Sequence, residues 1–319
     1  MALSTLVVVN PMSAGGRTGR QWAEIREALT AAGVAFDYRL TSAPTEATEF
    51  TRAALRTGCE RVVAVGGDGT LNEVVNGFFD GTTHDRIAPS AVLGLIPSGT
   101  GGDFRRSVGI PVAPASGAAL LARGDVRTCD VGRIDFANDG GGPRVHHFIN
   151  IADCGIGGDV AMRVNRSRKV AGGKVTFMLA SVAALLRFRN RLVRIEVDGK
   201  AVEQRVQNVV VANGRYFGGS MLVAPDADVA DGLLDVIILG DIPRRRAIMD
   251  MRRVYDGTHI GRPWVTVLRT ERVSVTPLED DPLLFDIEGE QVGQAPATLT
   301  CLPAAVRLAA PNQGRESLL

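Results

Sequence analysis

Lysine is nearly missing from this 319-residue chain: Lys169, Lys174 and Lys200 are the only ones, and the other basic residues are arginines. Any anionic ligand is therefore met mainly by backbone amides or by arginine. Net charge is also missing, because 36 basic and 35 acidic side chains leave a formal +1. That balance provides no global field of the kind that neutralises phosphates along a nucleic acid, so nucleic acid is not an expected partner. Cysteine is sparse: Cys59, Cys129, Cys154 and Cys301 show no CxxC spacing, which signals neither a disulfide framework nor a zinc site and fits a reducing cytoplasm. No basic leader precedes the first apolar run, and Leu6 to Val9 is too short for a signal core or a membrane span. The expectation is a cytoplasmic protein that meets any membrane from outside. What is present is apolar material, 45% of the chain, which suffices for two ordinary domains and argues against disorder.

The first part of the chain alternates apolar runs with amphipathic segments, as strands and crossover helices do in a parallel sheet. Strands are expected at Leu3 to Val9, Ala35 to Leu40, Arg61 to Val65 and Val92 to Ile96. Helices are expected at Arg17 to Ala32, Thr45 to Arg56, Leu71 to Phe79 and Ser116 to Ala122. After Cys129 the texture changes to β-branched runs at His146 to Ala152, Leu192 to Val197, Val206 to Ala212, Leu234 to Leu239, Trp264 to Leu268, Arg272 to Thr276 and Leu283 to Ile287. That spacing predicts a mostly antiparallel β domain. Between them, Lys174 to Arg191 reads as one apolar helix with a basic end at Arg187, Arg189 and Arg191, and Asp139 to Pro143 as a solvent loop. The pair His146 and His147 and the runs Arg244 to Arg246 and Arg163 to Lys169 read as surface, contact of the arginine runs with anionic headgroups being the alternative.

The strongest chemical signal is a strand, Val62 to Val65, followed by Gly66-Gly67-Asp68-Gly69-Thr70 and then a helix. Three glycines between strand and helix let backbone N–H groups approach phosphates, and the helix amino terminus adds favourable partial charge. Asp68 within that loop would repel a bare phosphate, which points to a magnesium-bound nucleotide; the plain alternative is a tight turn with Asp68 as a helix cap. Two further loops follow predicted strands, Asn10-Pro11-Met12-Ser13-Ala14-Gly15-Gly16 and Pro97-Ser98-Gly99-Thr100-Gly101-Gly102-Asp103. In an open parallel sheet the carboxyl ends of the strands share one edge, so all three loops can converge on one ligand. Other nucleotide signatures fail. Gly173-Lys174 is followed by Val175, and the near-fingerprint at Gly16 and Gly19 has Ala14 in place of its first glycine.

Taken together, Asn10-Pro11-x-Ser13, Gly66-Gly67-Asp68-Gly69-Thr70-x-Asn72-Glu73 and Pro97-x-Gly99-Thr100-Gly101-x-Asp103-Phe104 resemble the diacylglycerol kinase catalytic domain. The resemblance is closest to the bacterial lipid kinases of that family, which are similar to diacylglycerol, phosphatidylglycerol and sphingosine kinases. It continues through Asp130-Val131-Gly132, Asn150-x-x-x-x-Gly155, Ala224-Pro225 with Asp231-Gly232, and Glu288-Gly289-Glu290. It implies a nucleotide-binding α/β domain over residues 1–128, with 303–319 packing back on it, and a lipid-holding β-sandwich over 129–302, with an active cleft between the two. Carried over by position, nucleotide binding falls on Asn10, Thr41, Gly66, Gly67, Asp68, Gly69, Thr70, Leu71, Asn72 and Thr100. The resemblance also implies a Mg²⁺ site from the Asp231 carboxylate and the carbonyls of Leu234 and Val236, for which a plain β-turn is the alternative.

Two departures stand out. Gly102 occupies a position where the family usually has Asn, and Glu288 stands where it has Asp in an Asp-Gly-Glu motif. That position is the expected proton acceptor for the lipid hydroxyl, so the carboxylate is retained on a longer side chain, with Asp286 as a possible substitute on the same strand face. The implied activity is phosphoryl transfer from ATP, with Mg²⁺, to a diacylglycerol-like lipid, catalysed by Glu288 and Asp68. A kinase of a soluble metabolite resembling NAD kinase, and a nucleotide-binding regulator without catalysis, are the alternatives. Peripheral, transient membrane contact is expected through Lys174 to Arg191, and a homodimer is left open.

Overall fold

The computed structural model describes residues 3–99, 101–137, 144–160 and 188–311. The chain divides into two units, Met1–Asp130 with Ala304–Leu319, and Val131–Pro303.

The first unit is built on a parallel sheet of β1 (Thr5–Val9), β2 (Asp37–Leu40), β3 (Arg61–Gly66) and β4 (Val92–Pro97). Its strand order is β4-β3-β1-β2, with the end of β17 (Ala297–Ala309) added in parallel against β4 through Arg307 and Leu308. Every residue of β1 and β3 is buried. Their β-branched runs suit strands covered on both faces. The covering helices are α1 (Ser13–Ala31), α2 (Glu46–Arg56), α3 (Asp68–Gly77), α4 (Asp103–Val108) and α5 (Pro114–Arg123).

In α2 the buried residues Ala47, Thr51 and Leu55 recur every fourth position, which aligns them on one face. Glu46 in its first turn accepts N–H bonds from Ser42 and Ala43, at 2.6 and 3.1 Å. Ile25 and Leu29 from α1 and Ala118 and Leu121 from α5 pack on Val7, Val9, Val63, Val65 and Ile96 of the sheet. The chain winds outward from β1 to β2, then crosses to the other side of β1 to form β3. That reversal leaves a crevice at the carboxyl ends of β1 and β3, the place where open α/β sheets bind ligands.

The second unit is antiparallel. It contains the latter part of β5 (Val126–Phe136), followed by β6 (Arg144–Phe148), β7 (Ile151–Gly155), β8 (Arg191–Val197), β9 (Lys200–Ala212), β10 (Tyr216–Phe217), β11 (Met221–Leu222) and β12 (Leu234–Gly240). After helix α6 (Arg244–Tyr255) come β13 (Val265–Thr270), β14 (Arg272–Pro277), β15 (Leu284–Ile287), β16 (Glu290–Gln294) and the first part of β17. Strand β9 serves two neighbourhoods: its first half pairs with β8 and its second half with β7 and β12. This switching is how one long strand turns the corner of a sandwich-like domain. Its interior is a cluster that includes Phe136, Phe148, Val193, Val209, Val236 and Phe285, with the rings of Phe136 and Phe285 edge to face at 5.7 Å.

The expected architecture, an α/β domain with a parallel sheet plus a β-sandwich-like domain, is the one observed. Several details differ. The run His146 to Ala152 is two strands, broken at Ile149 and Asn150. His147 is buried and not on the surface, and burial with nearby Arg144 pushes the pKa of His146 down to about 4. Arg244 to Arg246 open a helix that the sequence did not announce. Arg191 begins strand β8 and does not end a helix; it pairs with Asp281 and lies over the Phe188 ring. The rest of the expected helix, residues 174–187, lies outside the described residues, as do the loop 139–143, the run 163–169 and Thr100.

Candidate functional site

In the first unit, the three glycine-bearing loops are joined to one another by hydrogen bonds. The Asn10 amide donates to Thr70 Oγ1 at 3.2 Å, and the hydroxyls of Ser13 and Thr70 are 3.3 Å apart, which ties the β1 loop to the β3 loop. Asn10 Oδ1 in turn accepts the Met12 N–H at 3.0 Å. The Ser98 N–H donates to the Gly66 carbonyl at 2.8 Å, joining the β3 and β4 loops. From α1, Thr18 donates to the Ser98 carbonyl at 2.8 Å and Arg17 to the Gly99 carbonyl at 3.0 Å. Gly99 lies so close to Gly67 that a Cβ there would fall 2.6 Å from the Gly67 Cα. Only glycine allows these two backbones to meet. Thr41, just beyond β2, is buried and donates its N–H to the Val9 carbonyl at 2.9 Å, which places it beside the β1 loop.

Asp68 opens α3, yet its carboxylate caps the neighbouring helix. Oδ2 accepts the N–H groups of Gly102 and Asp103 at 2.9 and 3.2 Å, and Oδ1 accepts that of Phe104 at 3.4 Å. Three of the orphan amides at the start of α4 are thereby satisfied from outside their own segment. Asp68 is thus a brace between the β3 and β4 loops. Gly102 precedes α4 with a φ of +63°, a left-handed position that glycine adopts without strain and Asn adopts better than most residues. The glycine therefore suits the turn itself. Leu71 directs its side chain into the core and donates its N–H to Gly67. Asn72 lies buried on the next turn, where its carbonyl and side-chain oxygens accept from Asn76.

In the second unit, Glu288 lies in the turn between β15 and β16 with a φ of +55°. The strand alternation ends before it, so Glu288 and Asp286 do not share a strand face. Oε1 of Glu288 accepts two amide protons, from Ile149 at 3.0 Å and Asn150 at 2.7 Å, and its own N–H donates to the Ile151 carbonyl at 3.2 Å. It is half-buried and anchored, unlike the side chain of an open hairpin turn. The break at Ile149 and Asn150 is itself held by Asn213, whose side chain donates to the Ile149 carbonyl at 2.6 Å and whose N–H donates to the Asn150 carbonyl at 2.8 Å.

Asp286 faces a residue the sequence reading did not single out. It is the direct cross-strand neighbour of Asp153 on β7. Each of the two carboxyls has an enclosed Oδ1 with no hydrogen-bond partner among the described residues. Burial raises the pKa of Asp153 to about 7 against an opposing hydrogen bond from Asn208. Burial, then the charge of Asp153, raises Asp286 well above the ordinary carboxylate range, with a Gly289 N–H bond opposing and Glu288 and Glu290 adding to the rise. Two carboxylates this close cannot both ionise cheaply, so the pair retains a proton near neutrality. The signal was an acidic residue in the otherwise apolar run Ile151 to Cys154. A Cβ on Gly157 would lie 1.7 Å from Asp153 Oδ1, so this wall is sealed by backbone.

The expected metal position does not fit a cation. Asp231 pairs with Arg269 through Oδ2 and accepts the Leu233 N–H at 3.0 Å through Oδ1. Val236 lies between β9 and β13, paired with Val211 and Leu268, and Leu234 is paired with Thr270. For Val236, both backbone directions face a ladder, which leaves its carbonyl no open side for a cation. Asp235, buried beside Arg269, has its pKa raised to about 6 by burial, with Arg269 opposing and Asp231, Asp226 and Asp228 adding to the rise. Arginine is the counter-ion this turn uses.

Residues 4–134 match the diacylglycerol kinase catalytic domain, and residues 150–310 match the YegS C-terminal NAD kinase beta sandwich-like domain. The chain therefore belongs to the family of diacylglycerol and related lipid kinases that joins these two domains. It is 28% identical to a diacylglycerol kinase of Bacillus subtilis (strain 168), over 98% of each chain. It is 30% identical to a protein of Xanthomonas euvesicatoria pv. vesicatoria (strain 85-10) named "probable lipid kinase YegS-like", over 91% of this chain and 92% of that one. The fold is also that of a solved structure of a diacylglycerol kinase from Bacillus anthracis str. Sterne, with a TM-score of 0.69 at 20% identity over 97% of each chain.

Proposed function

We propose that this chain transfers the γ-phosphoryl group of ATP to a hydroxyl of a diacylglycerol-like lipid. The observation that carries the nucleotide half of this reading is the set of three hydrogen-bonded loops at the carboxyl edge of the parallel sheet, beside the point where the strand order reverses. In a chain so poor in lysine, backbone N–H groups of Gly66 to Thr70, the amino terminus of α3 and Arg17 are the groups suited to phosphate. Asn10, Thr41, Asn72 and Thr100 complete the nucleotide-binding set. The lipid half rests on the family and on the names of its members, and it implies peripheral work at a bilayer from the cytoplasm. No helix among the described residues is long and apolar enough to cross a membrane.

Glu288 is the proton acceptor of this reading. The two amides on its Oε1 hold the carboxylate in place. The acceptor O–H gives its proton to Glu288 as its oxygen bonds to the γ-phosphorus, and the bond to ADP breaks. Among the described residues no group of three or more His, Cys, Asp or Glu could hold a metal ion. Mg²⁺ would come with the nucleotide, where it would supply charge neutralisation on the phosphates.

The second reading, a kinase of a soluble metabolite, is favoured by the NAD kinase likeness of the carboxy-terminal domain. Purified protein with γ-labelled ATP, offered diacylglycerol in mixed micelles, other lipid alcohols and NAD, separates the two. Label in a lipid supports the proposal. Label in NAD alone overturns it, and bound ATP without transfer to any acceptor favours a regulator.

A further inference from the structure

Helix α6 has two chemically distinct sides. Ala247 and Met251 pack against Ile156, Ile242 and Trp264, and Val254 packs on a second cluster around Ile237. On its flank, Arg246 and Arg253 both bind Asp250, at 2.8 and 3.1 Å, and Arg246 also stacks 4.8 Å from the Trp264 ring. These arginines are held, sharing one carboxylate between them.

The outer side differs. Arg245, Arg252 and Tyr255 each lie three or four residues along the helix from Ile248, Met249 or one another, and at about 100° per residue all five fall within one third of its circumference, so they form a single stripe. All five are exposed, Met249 by 67%. No acidic residue lies within this stripe, and neither Arg245 nor Arg252 has an ion-pair partner among the described residues. A solvated helix face ordinarily alternates charge signs and hides its large apolar residues. This one alternates arginine with large apolar side chains.

We propose that this stripe is a membrane-docking surface whose partner is the headgroup layer of an anionic bilayer. The apolar side chains of Ile248, Met249 and Tyr255 would enter the boundary between headgroups and acyl chains. Arg245 and Arg252 would extend their stems along the same side and keep their guanidinium groups at the lipid phosphates. The occupant follows from charge complementarity. A protein partner of ordinary composition would leave two unpaired guanidiniums in its interface, whereas an anionic lipid surface supplies a phosphate wherever they fall. The inference gives the lipid-kinase reading a place of contact and rests on it for the bilayer as the setting. It moves that contact from residues 174–191 to a helix whose exposed face is described.

Sedimentation with phosphatidylcholine vesicles, with and without phosphatidylglycerol, tests it in the absence of ATP. Wild type is expected to sediment with the anionic vesicles, and less so as salt rises. Arg245→Gln with Arg252→Gln is expected to lower that partitioning by roughly 10-fold or more. Ile248→Ser with Met249→Ser and Tyr255→Ser is expected to lower it at every salt concentration, and far-ultraviolet dichroism checks that α6 survives in both variants. Equal partitioning of wild type and the arginine variant overturns the proposal. So does a change in molecular mass without lipid, for the apolar variant, when vesicle binding is unchanged; that result assigns the stripe to a second copy of the chain. Phosphoryl transfer to a short-chain diacylglycerol in detergent is measured alongside. Transfer that is intact while vesicle binding is lost supports the surface, and absence of transfer in wild type strikes the kinase reading and leaves the binding result standing.

Discussion

In the amino-terminal unit, polar groups gather at the ends of buried strands and satisfy one another: Asn10 with Thr70, Ser98 with Gly66, Asp68 with three amides of α4. In the carboxy-terminal unit, two carboxyls face each other across β7 and β15, each with one oxygen that has no partner among the described residues, and one of them lies two residues from a glutamate held by two amides. The first arrangement ties three loops together through hydrogen bonds that are already made. The second stores electrostatic strain beside a candidate base. A phosphate cradle needs fixed donors and little charge of its own, whereas a proton acceptor needs a tuned environment.

Substitution in each region tests that contrast, and the largest effect is expected in the first. Asp68→Ala removes the brace that sets the β4 loop, and a displacement of about 1 Å at a positioning group is enough to cost orders of magnitude. Turnover is expected to fall roughly 10²–10³-fold, together with a lower ATP affinity by calorimetry and a lower melting temperature. Wild-type melting with lost activity would return Asp68 to a direct role at the nucleotide and break the distinction between brace and ligand.

Next is Glu288→Gln. The amide oxygen can still accept from Ile149 and Asn150, so the turn survives while the ability to take up a proton is lost. Turnover is expected to fall about 10²-fold with ATP affinity unchanged. If Asp286→Asn is the severe change and Glu288→Gln the mild one, the buried pair is the base and the contrast must be redrawn.

The smallest effect is thermodynamic. Asp153 has its pKa raised on folding, to about 7. The unfolded chain then releases this proton at lower pH than the native one. The pair's contribution to stability is complete below the ordinary Asp value near 4 and is lost as pH rises through about 7. The melting temperature should therefore fall by about 5 °C between pH 5.5 and 8 for wild type. Asp153→Asn, which cannot ionise, should flatten that slope and gain relative to wild type at the upper end. An unchanged slope in scanning calorimetry would mean the two carboxyls do not share a proton.

The alternation of strands and helices up to α5 was legible, except for the short helix α4 (Asp103–Val108), because each buried strand is a short apolar run. The three loops were legible because glycine between a strand and a helix has few other uses. Strand β9 was visible only in its second half: Val206 to Ala212 is apolar, while Lys200 to Arg205 is polar and pairs with β8 through its backbone. Helix α6 was hidden by its arginines, since its buried side is narrow and its outer face mixes signals. Glu288 was found through its motif, but not its partners, because Ile149 and Asn150 lie some 140 residues earlier, at hydrogen-bond separations of 139 and 138 in sequence.

The sequence by itself determined the layering of the first unit, the β character of the second and the position of the three glycine-bearing loops. All of these follow from local periodicity and from backbone freedom at glycine, which neighbouring residues control. Only the tertiary structure decided that Asp68 caps α4, that Asp153 and Asp286 confront each other, that Arg269 occupies Asp231, and that Arg245 and Arg252 share an exposed stripe with Ile248, Met249 and Tyr255. Charge partners and exposure are properties of strand register and helix rotation, and a one-residue change in either would redirect every side chain involved.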